Sequence, residues 1–581
     1  DFLGNMPLNQ NACRSLMNRY LHFSISLDSF FRKYQSGLTF LFVLLCVFLA
    51  DIFFSTAIPA NKIPVLESFL KSQSRLIIDF APEIWLTLLG LVLGTLIIVI
   101  SIASQSTPKL IDLYISDQTS LLYVWYITSG SVHNLFLQIE LVNNQAYKVN
   151  ILLNTYVMLP IALLLAIPYV LYILRYTKTS NVIEKIFADN MVRLERLVHP
   201  ANQVLLENPK TVASYQHRLF ESLNQMDDLL EYVSFKEPKG DVINKMGETI
   251  RSYIKIKDQI NPTFFKISTM IRNDVSFKTM TGQFDDIEKE RTFYEQKGYR
   301  LFGNAYLKLI DKDFFDLASL CASELASCGK AAIEQKDDPL INATIIRFNT
   351  FLRFGIKHGL RNGEARNLYN AIFHYSEFIK EMVNHRFLQH TKKSFFYLKI
   401  YVSEIYRHSL KEPSFGFLVD VFTWEMKKIL VQVSKNELPI SLQEELLDIF
   451  LQIDNLAGYD QDLSHKRSFN QNIRLFHIAM ALYYLRVDKK SLVEAIIEDI
   501  LEDHHYIGSK DLAQDIIGIC KRLETSSPTF WEDTDRGNSN LYFSEDKEFL
   551  PNFITMFNEH LNHAISYKNT SQISSNKSDP E

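Results

Sequence analysis

The first third of the chain carries apolar runs long enough to cross a lipid bilayer, and the remaining two-thirds carries none. Gly37–Ile58, Ile84–Ser104 and Ile151–Leu174 are such runs, and Leu121–Leu141 is a more polar fourth. A helix rises about 1.5 Å per residue, so about 20 residues cover the ~30 Å hydrocarbon core. The fold class expected is therefore all-α: a polytopic helical membrane domain followed by a large helical domain. A length of 581 residues also exceeds what one compact core supports.

Asp51 lies in the first run. A central Asp costs about 2.5–3.5 kcal/mol on insertion scales, and each Leu, Phe or Val returns a few tenths. The run holds enough of these for insertion to win. The second and fourth runs are uncharged, and Pro160 and Pro168 are expected to kink the fourth. Leu121–Leu141 contains Ser129, Ser131, His133, Asn134, Gln138 and Glu140 and would insert poorly alone. Charge bias decides in its favour. Arg14, Arg19, Arg32 and Lys33 precede the first run, and Arg175, Lys178, Lys185, Arg193 and Arg196 follow the last. Both flanks read as cytoplasmic, which requires an even number of crossings and hence four. Ala60–Pro82 then forms a short amphipathic outer loop, with Trp85 and Tyr176 at membrane interfaces. Gly90 and Gly94 form a GxxxG motif, a spacing that admits a neighbouring helix backbone.

The segment Val99-Ile-Ser-Ile-Ala-Ser-Gln-Ser-Thr-Pro108-Lys109-Leu-Ile-Asp112, leading into Tyr114-Ile-Ser-Asp117-Gln-Thr119, resembles a bacterial family of four-span integral membrane proteins without an assigned function. In that family the second span ends in a Ser/Gln-rich stretch, Ser-Pro-Arg and a short Arg-Asp segment. Thr107-Pro108-Lys109 and Ser116-Asp117 stand at those places here. The exit from the fourth run, Tyr172 to Ile183, is similar as well. The likeness covers about residues 35–190. It implies a bacterial inner-membrane protein with four spans, and it supplies no activity. The family's β-rich middle portion has no counterpart in this sequence.

From about residue 180 to 567 the periodicity is helical. Ala365, Leu368, Ile372, Tyr375, Ile379 and Met382 form one apolar stripe, and Phe395, Leu398, Val402 and Ile405 form the next. Breakers stand at Gly363, Pro413, Pro439, Gly458, Gly508 and Pro528. Ser441-x-x-Glu444 and Ser491-x-x-Glu494 read as capping boxes. Helices of about 20 residues joined by short turns point to a bundle or an irregular α-solenoid. No repeating consensus and no stretch alternating long enough for a sheet is present. The expected organisation is a cytoplasmic segment over 1–36, a transmembrane domain over 37–176, a cytoplasmic helical domain over 177–567 and a disordered tail over 568–581.

The chemistry is sparse. A net charge of -5 argues against nucleic-acid binding. The five cysteines, Cys13, Cys46, Cys321, Cys328 and Cys520, form neither a disulfide framework nor a zinc pattern. Gly329-Lys330 lacks the rest of a P-loop, and no GxSxG, HExxH or GxGxxG occurs. Glu498, Glu502 and His505 share a helix face but read as a solvated acidic surface, and His385, Arg386, His390, Lys392 and Lys393 as an ordinary basic one. No catalytic site, metal or cofactor is expected. The candidates are the ionisable and polar groups Asp51, Ser129, His133 and Glu140, since intramembrane charge by default marks a path or a binding site. On a helix Ser129, His133 and Glu140 fall within about 40° of one another, while Leu135 and Ile139 turn away and Gln138 lies opposite. Imidazole ordinarily titrates near ~6.5, which makes His133 the natural titrating member. Two functions fit: a homo-oligomeric channel or transporter with a cytoplasmic regulatory domain, or a membrane-anchored helical scaffold that docks other proteins.

Overall fold

The structure is a computed structural model. It describes residues 35–57, 80–98, 101, 118–142, 150–151, 153–176, 178–233, 235–363, 366–454, 463–503, 507–534 and 537–575. The segment 1–34, the loop over 60–79, most of the stretch that carries the family resemblance, and Gly458, His504 and His505 lie outside these residues. The chain forms two compact units, residues 1–245 with 260–264, and residues 246–259 with 265–581. The expected division at 176/177 falls inside the first of these.

All four apolar runs are helical. They form α1 (Gln35–Ala57), α2 (Phe80–Ile98), α3 (Gln118–Val142) and α4 (Leu159–Tyr176), the last preceded by a π turn over Leu153–Met158. By length and apolarity, α2 and Leu153–Ile173 suffice to cross a membrane, and Gly37–Phe53 is a shorter apolar helix. The four helices contribute to one core around Trp85, Val92, Ile127, Leu159 and Ala162. Their other faces are apolar and exposed, as at Phe42, Phe53, Leu91, Ile97, Leu164 and Ile167. The π turn lies just before Pro160. Proline has no N–H to offer the preceding turn, so the backbone there leaves the α-helical pattern. Two hydroxyls of α3 bond main-chain carbonyls of the fourth run: Tyr126 donates to Met158 at 2.9 Å and Tyr123 to Ala162 at 2.7 Å. The unit continues through α5 (Thr179–Val198) and α6 (Pro209–Tyr232), where Arg193 Nη1 donates to Arg218 O at 3.1 Å and Ser222 Oγ at 3.2 Å.

The helix α7 (Lys236–Ile256) spans the boundary between the units. Beyond it lie α8 (Phe293–Ile310), α9 (Phe315–Glu334), α10 (Asp338–Asn362), α11 (Arg366–Asn384), α12 (Leu388–Ser409), α13 (Gly416–Lys435), α14 (Ile440–Leu451), α15 (Leu463–Arg486), α16 (Lys490–Glu502) and α17 (Ser509–Thr525). Even-numbered helices from α8 to α16 pack in one row and odd-numbered ones from α9 to α17 in a second, each touching the next of its own row, and successive helices from α8 to α14 also touch one another. The stripe predicted on α11 is the buried one: Leu368, Ile372, Tyr375, Ile379 and Met382 are all sequestered, as are Phe395, Leu398, Val402 and Ile405 on α12. Ala365 lies outside the described residues.

Five of the turns between successive helices share one geometry. Asp313, Lys336, Arg386, Glu437 and Asp488 have φ between 49° and 62°, and the last four stand 50, 51 and 51 residues apart. At each, the left-handed residue donates its N–H three residues back and its successor donates five back, as in Lys336 to Ile333 and Asp337 to Ala332. That pair is a Schellman cap, which satisfies carbonyls left open by a helix end. Side chains span the same interval. Tyr401 Oη donates to Asn349 O at 3.1 Å, 52 residues away, and Lys393 Nζ to Asn342 Oδ1 at 2.7 Å, 51 residues away.

Three expectations are corrected. Ser441 and Ser491 are not N-caps, because α14 and α16 begin at Ile440 and Lys490 behind Pro439 and Lys489, neither of which caps through its side chain. The preceding Schellman turn sets these helix starts instead. A short antiparallel hairpin, β1 (Thr529–Thr534) with β2 (Gly537–Ser539), interrupts the helices; its strands are too short for alternation to register. The last helix, α18 (Leu550–Ser575), runs into the stretch expected to be disordered from Lys568, since helix propagation adds a hydrogen bond per residue even without an apolar face.

A left-handed residue other than glycine costs about 1–2 kcal/mol, partly offset by glycine's greater unfolded-state freedom. Arg386→Gly, and independently Asp488→Gly, is therefore expected to raise the unfolding free energy by about 0.5–1 kcal/mol in denaturant titration of the purified chain. A loss of stability would show that these side chains hold the turns.

Candidate functional site

The expected polar path comprised Asp51 on α1 and Ser129, His133 and Glu140 on one face of α3. The structure brings Asp51 and His133 together and adds partners from the fourth run. His133 Nε2 stands 3.1 Å from Asp51 Oδ1, a close polar contact without the alignment of a hydrogen bond. Asn150 Nδ2 donates to Asp51 Oδ2 at 2.9 Å. Asn154 lies 3.0 Å from His133 Nδ1 through its Nδ2, which also donates to Gly130 O at 3.1 Å, while its Oδ1 accepts from Trp85 Nε1 at 3.0 Å. Ser129 is fully buried beside them, and its hydroxyl has no hydrogen-bond partner among the described residues. The Glu140 side chain lies outside the described residues. Leu135 and Ile139 are exposed, as the helical arithmetic predicts.

The donor and acceptor types fix this chain of contacts. The indole N–H of Trp85 can only donate and the Gly130 carbonyl can only accept. Asn154 must therefore turn its oxygen to Trp85 and its nitrogen to Gly130 and His133. That places an acceptor at His133 Nδ1 and the imidazole proton on Nε2, facing the Asp51 carboxylate. His133 is 3% exposed, whereas the Asp51 side chain is 18% exposed, so the cluster opens at the aspartate and closes on the indole.

Local structure explains the convergence. Asn154 sits in the π turn, whose wider winding re-aims side chains and recurs at functional sites. A Cβ at Gly130 would collide with the Trp85 ring, so only glycine lets the indole reach Asn154. Trp85, expected at a membrane interface, is instead 0% exposed. Its N–H finds a partner inside the bundle, which removes the reason for an interfacial position. Asn150, Asn154 and Gly130 were not picked out in the sequence. Asn150 and Asn154, four residues apart at the start of an otherwise apolar run, were the available signal. Gly90 and Gly94 stand apart from the cluster: a Cβ built at either meets nothing within 4 Å.

The second unit holds a denser cluster of charge. Asp454, His477 and Asp499 are the only described residues whose ligand atoms group closely enough for a metal ion. Arg474 occupies that space. Its Nε lies 3.0 Å from Asp454 Oδ2, its Nη2 3.1 Å from Asp503 Oδ2, and its Nη1 bonds Asp499 and lies 3.2 Å from His477 Nδ1. The guanidinium already supplies the cation, so the donor set does not fit a metal. Glu502 and Glu498 take no part in it. Burial pushes the Asp454 carboxyl up to about 7 despite Arg474, and burial with the Arg474 charge holds His477 well below the usual imidazole range. Cys321 and Cys328 are buried with their thiols raised by burial, and Cys46 is exposed.

Asn154→Leu would leave the Trp85 N–H and His133 Nδ1 without partners. Each buried orphan costs about 1–3 kcal/mol, so a thermal midpoint several degrees lower and an altered tryptophan emission are expected. An unchanged midpoint would mean that water replaces the amide. For Asp454, a folded-state pKa raised from 3.8 to about 7 means that its contribution is full below about 3.8 and is lost as pH rises through about 7. Asp454→Asn should therefore gain stability relative to the native chain between pH 5 and pH 8, read as the difference in thermal midpoints. A pH-independent difference would refute the shift.

Among known proteins, no family model, no curated protein and no solved structure matches this chain.

Proposed function

We propose that the chain is an integral membrane protein whose four N-terminal helices form a bilayer-embedded, proton-responsive transport element. The observation that carries this is the Asp51–His133 pair, enclosed by helices whose outward faces are apolar. Apolar outside with ionisable groups inside is the arrangement a bundle in lipid requires. A bundle that served only as an anchor would gain nothing from a buried carboxylate and imidazole, which cost insertion energy. The proton on His133 Nε2 faces a carboxylate open at one end, so the pair can take up and release a proton from that side. Asn154 and Trp85 close the other end, and neither an amide nor an indole passes a proton onward. Passage therefore needs a rearrangement of the cluster, which favours gated, proton-linked transport over an open pore.

The flanking Arg and Lys residues support cytoplasmic termini and four crossings, and the likeness of residues 35–190 to a four-span bacterial family supports an inner-membrane location. The open face at Gly90 and Gly94 supports a homo-oligomer, with a helix of a second copy lying against it. The two-row stack from α8 to α17, with its turns about fifty residues apart, supports an α-solenoid that acts as the regulatory domain or docks protein partners. That same stack favours the second reading, a membrane-anchored scaffold without transport.

Liposomes holding the purified protein and a pH-sensitive dye separate the two readings. Proton flux above that of empty liposomes is expected, and His133→Ala and Asp51→Asn should each reduce it at least tenfold. Flux equal to empty liposomes under both signs of voltage would leave the scaffold reading.

A further inference from the structure

We propose that Arg300 on α8 and Arg347 on α10 form a binding site for a phosphate-type oxyanion, held between two guanidinium groups that have no carboxylate of their own.

Several buried or half-buried cations in this unit are answered by acids. Lys257 meets Glu295 at 2.9 Å and Asp337 at 2.6 Å, Lys297 meets Asp274 at 3.0 Å, and Arg486 meets Asp546 at 3.0 Å. Others are not: Lys427 and Lys489 are left without an acid, and burial pushes their ammonium groups down, and Arg300 and Arg347 are guanidinium groups left in the same position. Among the described residues neither has a carboxylate within ion-pair distance, and the Nε atoms of both are buried without an acceptor. Arg300 turns Nη1 and Nη2 onto Thr279 Oγ1, each at 3.1 Å. That hydroxyl accepts twice, so its own proton points away from Arg300 as a further donor. Arg347 reaches across the packed α8–α10 pair to Gly303, one helical turn from Arg300. A Cβ at Gly303 would stand 2.8 Å from Arg347 Nη1, so glycine is what gives the guanidinium its place.

Like charges so placed destabilise each other. Burial, and then the Arg300 charge, hold the Arg347 guanidinium down at about 10. An unpaired buried cation is costly, and the deficit is one that a tetrahedral or planar oxyanion repairs: two rigid forks of N–H donors and a hydroxyl match phosphate oxygens. A divalent anion would also neutralise both charges, as acetate or chloride would not. The site lies wholly in the second unit, so its test is independent of proton flux.

The test is calorimetry and thermal unfolding of the full chain in detergent, titrated with inorganic phosphate against acetate and chloride at matched ionic strength. Phosphate is expected to bind and raise the midpoint by several degrees, with acetate and chloride without effect. Arg347→Gln and Arg300→Gln should each weaken phosphate at least tenfold. Without phosphate, Arg347→Gln should unfold no lower than the native chain, because it removes an unanswered charge. Should Arg347→Gln fail to fold, its purpose is carried by Arg300→Gln, whose side chain is the better solvated. No phosphate-specific shift, equal shifts with acetate or chloride, or phosphate binding retained in Arg300→Gln would each overturn the site.

Discussion

An amide buried among apolar helices has to find every one of its partners within the bundle, and Asn154 does so by reaching the other helices' polar atoms. It binds Trp85 of α2, Gly130 and His133 of α3 and, through His133, Asp51 of α1. The remaining polar geometry follows. The π turn exists where Asn154 needs its aim, Gly130 is small where the indole must pass, and His133 takes the tautomer that the amide imposes. In a low-dielectric interior such a chain is mutually reinforcing, and losing one member strands the rest. Helices that pack mainly by apolar contact gain from it a unique register, which dispersion alone does not specify.

The second unit is specified differently. Its helices bury broad apolar faces, and what orders them is the backbone at their ends. The Schellman turns recur with hardly any change of interval while the residues that occupy the left-handed position change from Lys to Arg to Glu to Asp. A backbone motif that accepts a modest strain at each turn leaves the sequence there unconstrained, so regularity is kept by hydrogen bonds and by contacts such as Tyr401 to Asn349 and Asn472 to Asp420, each 52 residues apart.

This explains what was legible in the sequence and what was not. The apolar stripes were plain because a helix buries one face at a fixed period, and α11 and α12 bury the residues that the period names. The four apolar helices were plain for the same reason. The recurring turn was invisible because glycine, the usual mark of a left-handed C-cap, is absent from these positions. Gly363 and Pro413, which did show, mark the intervening turns, from α10 to α11 and from α12 to α13. In the polar cluster, Asp51, Ser129 and His133 were found by type, since ionisable and polar groups stand out in apolar runs. Asn150, Asn154 and Trp85 were missed because asparagine is uncharged and tryptophan reads as an interfacial anchor. Only the fold reveals that their hydrogen-bonding atoms meet.

Buried charge is resolved in three ways along the chain, and the comparison separates structure from function. Around Arg474 the acids outnumber the cation, and the excess is relieved by a proton on Asp454, whose carboxyl burial raises to about 7. That cluster is closed: its centre is filled by the guanidinium, and no ligand has room there. At Asp51 and His133 a carboxylate faces an imidazole, and the pair is open at the aspartate end. At Arg300 and Arg347 the charges are of one sign. A guanidinium does not shed its proton readily enough to relieve the excess, so neither protonation nor internal pairing is available. Relief is left to groups outside the chain, which is the opening the proposed oxyanion fills.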